Sequence, residues 1–205
     1  THRNLSENVR MVEETLHFDH DDVALSILPP WHCYERIFDY AMVSSGSQLV
    51  YADRRTIKKD LESVRPTIFV AVPRVWEMLH DGVTAKVSKL EGTKGKLLRT
   101  ALRVSKKVGA GKASVIDRLV HKTLSASILP KLLTAITGGR MRFAVSGGGS
   151  LPAHVDQTLL GLGMPLLNGY GLTETSPLVA VRTPDGNRWG TIGRAVPRTE
   201  VQARD

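Results

Sequence analysis

The sequence predicts an α/β domain built on a mainly parallel sheet flanked by helices. Short apolar runs rich in β-branched residues alternate with segments of helical period, the order in which parallel strands and their crossover helices follow one another. The run T-I-F-V-A-V, Thr67 to Val72, lies between Pro66 and Pro73 and is unbroken apolar from Ile68 on, as a strand covered on both faces should be. With 205 residues, 41% hydrophobic and 23% charged, the chain can bury a substantial core and reads as globular rather than disordered.

In chain order, Leu5 to Phe18 has helical spacing. Val23 to Leu28 (V-A-L-S-I-L) is a strand stopped by Pro29-Pro30, which cannot continue a ladder. A helix over His32 to Val43, a strand over Gln48 to Tyr51 and a helix over Ile57 to Val64 lead to the Thr67 to Val72 strand. Two further strands are expected at Arg142 to Val145 and Pro165 to Leu167, with a helix over Ala153 to Leu160 between them.

The stretch from Val75 to Ile136 departs from the alternation. Three helical segments follow one another there, divided at Gly92-Thr93-Lys94-Gly95 and at Gly109-Ala110-Gly111. In the second, Leu97, Leu98, Ala101, Leu102 and Val108 share one face. A membrane-surface helix is one use of such a face; packing against the protein's own core is the commoner one.

The net charge of +8 is unevenly placed, since Asp81 to Arg142 holds fourteen Lys or Arg against three Asp or Glu. That excess favours phosphates, an anionic membrane surface or an acidic protein as partner, although each single lysine more often belongs to a solvated helical face. Nucleic acid is not expected. No apolar run approaches the roughly 20 residues of a spanning helix, and no secretory leader opens the chain. The single cysteine, Cys33, excludes an internal disulfide and a multi-cysteine metal site and fits a reducing compartment. The expected setting is the cytoplasm, peripheral to a membrane if the basic segment meets one. Because the chain opens at Thr1 without methionine, an upstream portion is expected.

Three stretches carry candidate chemistry. Ser146-Gly147-Gly148-Gly149-Ser150 follows a predicted strand, and a glycine-rich turn there lets a ligand approach the backbone. It is neither a Walker loop nor G-x-G-x-x-G, and a tight strand-to-helix connection explains it equally well. N-G-Y-G-L-T-E-T-S-P, Asn168 to Pro177, emerges at the same edge if Pro165 to Leu167 is a strand. Gly169 and Gly171 are then expected to give Tyr170 an unusual backbone angle and to expose its ring, a platform for a nucleobase. Thr173 offers a hydrogen bond to a phosphate oxygen, and Glu174 the hard oxygen that Mg²⁺ prefers. A buried Tyr170 with Thr173-Glu174 opening a helix is the comparable plain alternative. L-P-P-W-H-C-Y-E-R, Leu28 to Arg36, sets Trp31, His32 and Tyr34 where they could line an apolar pocket with one titratable imidazole. Cys33 lacks an orienting acid for nucleophilic work, and Glu35-Arg36 are expected to satisfy backbone and partner charges.

Taken in order, these pieces resemble the adenylate-forming superfamily, and within it the long-chain fatty acyl-CoA synthetases. Thr1-His2-Arg3-Asn4-Leu5 is similar to the segment after the family's phosphate loop, and L-P-P-W-H-C-Y-E-R to its aromatic-histidine motif. Val72-Pro73-Arg74-Val75-Trp76-Glu77 is similar to V-P-R-V-W-E of the long-chain branch, and S-G-G-G-S-L-P, Y-G-L-T-E-T and Gly190 to Pro197 follow in the family's order. P-P-W-H-x-Y-E-R also resembles the plant and cyanobacterial acyl-acyl carrier protein synthetases. The resemblance implies that Gly147, Gly148 and Gly149 border the adenine and acyl-adenylate site. It puts Asn168, Gly169 and Gly171 beside the nucleotide, Tyr170 against adenine, Thr173 on the α-phosphate and Glu174 on Mg²⁺. His32 would lie where the acyl chain and the incoming thiol pass. The substrates implied are ATP, a long-chain fatty acid and coenzyme A, with acyl carrier protein as the alternative acceptor. A Ser/Thr/Gly-rich loop ending in lysine is expected before Thr1. The ribose-binding aspartate, the hinge and a small C-terminal domain with its catalytic lysine are expected after Asp205. The 205 residues are thus expected to be an internal piece of the large N-terminal adenylation domain, inactive alone.

Overall fold

The computed structural model describes residues 1–125 and 128–202. Its elements are α1 (His2–Leu16), β1 (Val23–Ser26), α2 (Cys33–Ser44), β2 (Gln48–Tyr51), α3 (Ile57–Val64), β3 (Ile68–Ala71), α4 (Pro73–Ser88), α5 (Gly92–Gly109), α6 (Val115–Ser125), α7 (Leu129–Thr137), β4 (Phe143–Ser146), α8 (Ala153–Gly161), β5 (Leu166–Gly171), β6 (Leu178–Val181) and β7 (Arg194–Ala195). The strands form one sheet in the order β2-β1-β3-β4-β5-β6-β7. Pairing is parallel from β2 through β5 and antiparallel from β5 through β7.

Side chains alternate across the sheet, as a pleated strand requires. Phe69 and Ala71 of β3 face a core built with Trp76 and Leu79 of α4 and Leu159 of α8. Ile68 and Val70 face the opposite core, with Val12 and Leu16 of α1 and Ile37, Phe38 and Met42 of α2. The α4 helix starts immediately after β3 because Pro73 occupies its first turn, where a missing N–H costs nothing.

Among the described residues, the basic stretch holds four helices rather than three. Gly92 to Gly95 forms the first turn of α5 rather than a break, and the α6–α7 junction lies partly outside the described residues. The buried line of α5 is Gly95, Ala101, Val104, Ser105 and Gly109, while Leu97 is exposed. The cause is a close crossing with α8: a Cβ on Gly161 would stand 1.7 Å from the Ser105 carbonyl oxygen, and one on Gly109 would stand 1.9 Å from that of Gln157. Of the expected face, Ala101 is buried and Leu102 packs against the core, but Leu97 is exposed, and the closest contact is made by small residues that the hydrophobic pattern does not mark. Among the described residues no helix is long and apolar enough to cross a membrane.

Candidate functional site

Register levels the strand ends: Ala71 pairs with Ser146, and Ser146 with Asn168. The segments leaving β1, β4 and β5 therefore emerge along one edge, where open α/β sheets take their ligands. They surround a cavity of about 590 Å³. His32, the Gly147–Gly149 turn, Asn168 to Gly171, Thr173 and Glu174 all line it, so residues scattered over most of the sequence meet in one place.

The glycine turn is fixed from beneath. Gly147 N–H donates to the Ala71 carbonyl at 3.3 Å, and Gly148 holds φ +73°, a conformation that favours glycine. Tyr34, reaching up from α2, donates its hydroxyl to the Val145 carbonyl at 3.1 Å. Burial drives its phenol upward, so it stays a neutral donor. Ser146 Oγ, at the base of the turn, is buried and unpartnered.

The N-G-Y-G stretch continues β5 instead of leaving it. Tyr170 pairs with Ala180 of β6 and its φ is negative, correcting the expected unusual backbone angle. Its ring is exposed all the same, at 43%, because strand alternation turns it outward. Gly171 is required by a close approach rather than by its torsions, since a Cβ there would lie 2.1 Å from the Pro177 carbonyl oxygen. Thr173 and Glu174 follow in a short 3-10 turn, Thr173 to Thr175, and both are exposed. Thr173 Oγ1 sits 3.3 Å from Cys33 Sγ, so the thiol meets a hydroxyl and not a base.

His32 caps α2, its Nδ1 accepting from Tyr34 N–H at 3.3 Å. The neutral ring therefore carries its proton on Nε2. Trp31 does not line the cavity; it precedes the helix cap and is 78% exposed. The inner part of the cavity is apolar, lined by Val12 and Leu16 of α1, Ile37 and Phe38 of α2, and Phe143 and Val145 of β4.

Two buried polar groups escape the sequence reading. Arg182, at the end of β6, is 1% exposed and grips Asp156 of α8 through two hydrogen bonds of 3.0 and 2.8 Å. Its Nε donates to the Thr191 carbonyl, which also receives Asn168 Nδ2, so the pair steadies the wall next to Ile192. Glu35 is fully buried, accepting from Ser26 Oγ and Leu28 N–H, while its Oε2 has no partner. Arg36 Nε bonds the Pro30 carbonyl. Both residues thus serve the backbone around the Pro29-Pro30 turn.

Burial pushes the Glu35 carboxyl up to about 7, helped by the neighbouring Asp39, which burial also raises. The folded state then holds a proton that the unfolded chain releases near 4.5. Stability from this group is full below the unfolded value and declines as pH rises toward 7, by at most about 1.4 kcal/mol per pH unit. Glu35→Gln is expected to flatten that decline in urea titrations between these values, leaving only the slope due to Asp39.

As a donor set the cavity joins an exposed aromatic ring, a backbone turn open to close approach, a hydroxyl, and a carboxylate without an ion-pair partner among the described residues. A mainly parallel sheet thus presents these groups along one edge, beside an apolar recess, which is the architecture of an α/β domain with its site at the carboxyl ends of the strands. The chain belongs to the AMP-binding enzyme family, whose model matches residues 1–205.

It is 32% identical over 234 residues to a chloroplastic long-chain-fatty-acid–acyl-carrier-protein ligase of Arabidopsis thaliana, matching 100% of this chain and 32% of that protein. To long-chain-fatty-acid–CoA ligase 2 of Schizosaccharomyces pombe it is 32% identical over 223 residues, matching 100% of this chain and 30% of that one. The N-terminal domain of FACL13 from Mycobacterium tuberculosis superimposes with a TM-score of 0.63 at 15% identity, over 96% of this chain and 39% of the other. This likeness carries the fold alone. The chain spans about a third of the length of the curated relatives it matches.

Proposed function

We propose that the chain is an internal piece of the adenylation domain of an ATP-dependent long-chain fatty acid:CoA ligase. The observation that carries this reading is the single cavity shared by the glycine turn, Tyr170, Thr173 and Glu174, with an apolar recess opening from it. A fatty carboxylate oxygen attacks the α-phosphorus of ATP, the bond to the β-phosphate breaks, and acyl-AMP and pyrophosphate form. The thiolate of coenzyme A then attacks the acyl carbonyl and AMP leaves.

In this reading adenine stacks on Tyr170, an interaction of about 1–3 kcal/mol, and Gly147 to Gly149 let the acyl-adenylate pass close to the backbone. Asn168, Gly169 and Gly171 border the nucleotide. Thr173 donates to the α-phosphate as charge builds on it. Glu174, a hard oxygen donor, fits Mg²⁺, which when bound neutralises phosphate charge. The Val12, Leu16, Ile37 and Phe38 recess takes the acyl chain. His32, its Nδ1 committed to the helix cap, presents Nε2–H where chain and thiol meet. In this reading the protein works in the cytoplasm, with its basic middle segment as the surface that would meet a membrane.

The test is acyl-hydroxamate formation from ATP, Mg²⁺, fatty acid and hydroxylamine by the full-length protein. Thr173→Ala and Glu174→Gln should each lower the rate at least ~10-fold, the scale of one charge-assisted hydrogen bond; wild-type rates in both would remove the assignment. A second acceptor, acyl carrier protein, is favoured by the cationic middle of the chain. Comparing coenzyme A with the holo-carrier as acceptor for one preformed acyl-AMP separates the two.

A further inference from the structure

The α6 helix has an outer face that nothing in the described structure covers. Its inner face is well anchored. Asp117 is buried and bonded to Lys107 and Ser114, Leu124 is buried, and His121 Nε2 lies 2.6 Å from the Gly161 carbonyl. On the outside, Val115, Ile116 and Leu119 are 84%, 75% and 66% exposed. Three large aliphatics in five residues are costly to leave in water, and each is the most exposed residue of its own type among the described residues.

Helical geometry decides what stands beside them. Arg118 is three residues beyond Val115 and so shares the apolar face; Lys112 is exposed just before the helix. The helix's one acidic residue, Asp117, points inward and is neutralised by Lys107. The outer face is therefore apolar and cationic with no exposed carboxylate of its own, on a convex helix rather than in a groove.

We propose that this face docks on an anionic phospholipid surface, with Val115, Ile116 and Leu119 entering between the headgroups while Arg118 and Lys112 meet lipid phosphates. Convexity favours a deformable bilayer over a preformed protein pocket, and cations around an apolar row complement headgroups above acyl chains. The inference rests on the reading that the basic middle segment meets a membrane, and not on the adenylation chemistry. Docking there would bring the enzyme to the phase in which long-chain fatty acids concentrate.

The experiment is co-sedimentation of the full-length protein with phosphatidylcholine vesicles, with and without phosphatidylglycerol. Wild type should bind the anionic vesicles and be released by high salt. The triple variant Val115→Ser, Ile116→Ser, Leu119→Ser should bind at least tenfold more weakly, as should Arg118→Glu, both with unchanged melting temperature and unchanged hydroxamate rate. Equal vesicle binding by wild type and the triple variant would overturn the proposal. A lowered melting temperature of the triple variant would also overturn it, because another part of the protein would then cover the face. Loss of carrier-protein binding with vesicle binding intact would overturn it in favour of a protein partner.

Discussion

Arg182→Met should destabilise the domain by about 3–5 kcal/mol, because it strands the Asp156 carboxylate in the interior without its cation. Both partners are almost wholly buried, and Asp156 keeps no other hydrogen bond of its side chain among those described. The pair is not thereby a net source of stability, since desolvating two charges offsets much of their attraction. A double variant, Arg182→Met with Asp156→Leu, should recover most of the loss in a urea denaturation cycle. If the double variant is as unstable as Arg182→Met alone, the cost comes from the Thr191 contact rather than from an orphaned charge.

Trp76→Ala should cost a similar ~3–5 kcal/mol, the range for removing a large buried aromatic. Trp76 is fully buried and meets Phe69 edge-on at 5.2 Å between centroids. Its indole N–H donates at 3.3 Å to the Ala71 carbonyl, which also accepts from Gly147 N–H. The effect therefore reaches the cavity: loss of the indole frees the strand end on which the glycine turn is hung. Trp76→Phe keeps most of the burial and loses the hydrogen bond, so it should lose only ~1–2 kcal/mol by thermal or urea unfolding.

The parts of the fold legible in the sequence are those where local chemistry and tertiary structure agree. Thr67 to Val72 contains β3 because its apolar run is closed by prolines, and β2 and α3 fall at the expected residues. The carboxyl-edge motifs are legible because glycine turns, a ring and a carboxylate have few common uses at strand ends, and their convergence follows once the sheet is parallel. Beyond these, pairing at a distance decides. β5 runs on through Asn168 to Gly171, against the low strand preference of glycine, because β6 pairs with it. β6 and β7 lie outside the sequence expectation: β6 is held by antiparallel pairing to β5, and β7 has only two residues. Arg182 reads locally as a charge ending an apolar run, and only the fold brings Asp156 to it. Cys33 and Thr173, in contact, are 140 residues apart. On α5 the hydrophobic pattern finds Ala101 and Leu102, which pack on the core, but misses Ser105 and Gly109, which are buried because α8 crosses too closely for larger side chains.

The central claim is that a carboxylate oxygen attacks the α-phosphorus of ATP in the cavity bounded by Gly147–Gly149, Tyr170, Thr173 and Glu174. It is tested most directly by giving the full-length protein ATP, coenzyme A and a long-chain fatty acid labelled with heavy oxygen in both carboxyl positions. The oxygen that bonds to phosphorus stays with it when the thiol displaces AMP, so the account predicts AMP carrying one heavy oxygen and unlabelled pyrophosphate. Unlabelled AMP, or ADP formed together with labelled inorganic phosphate, would contradict it.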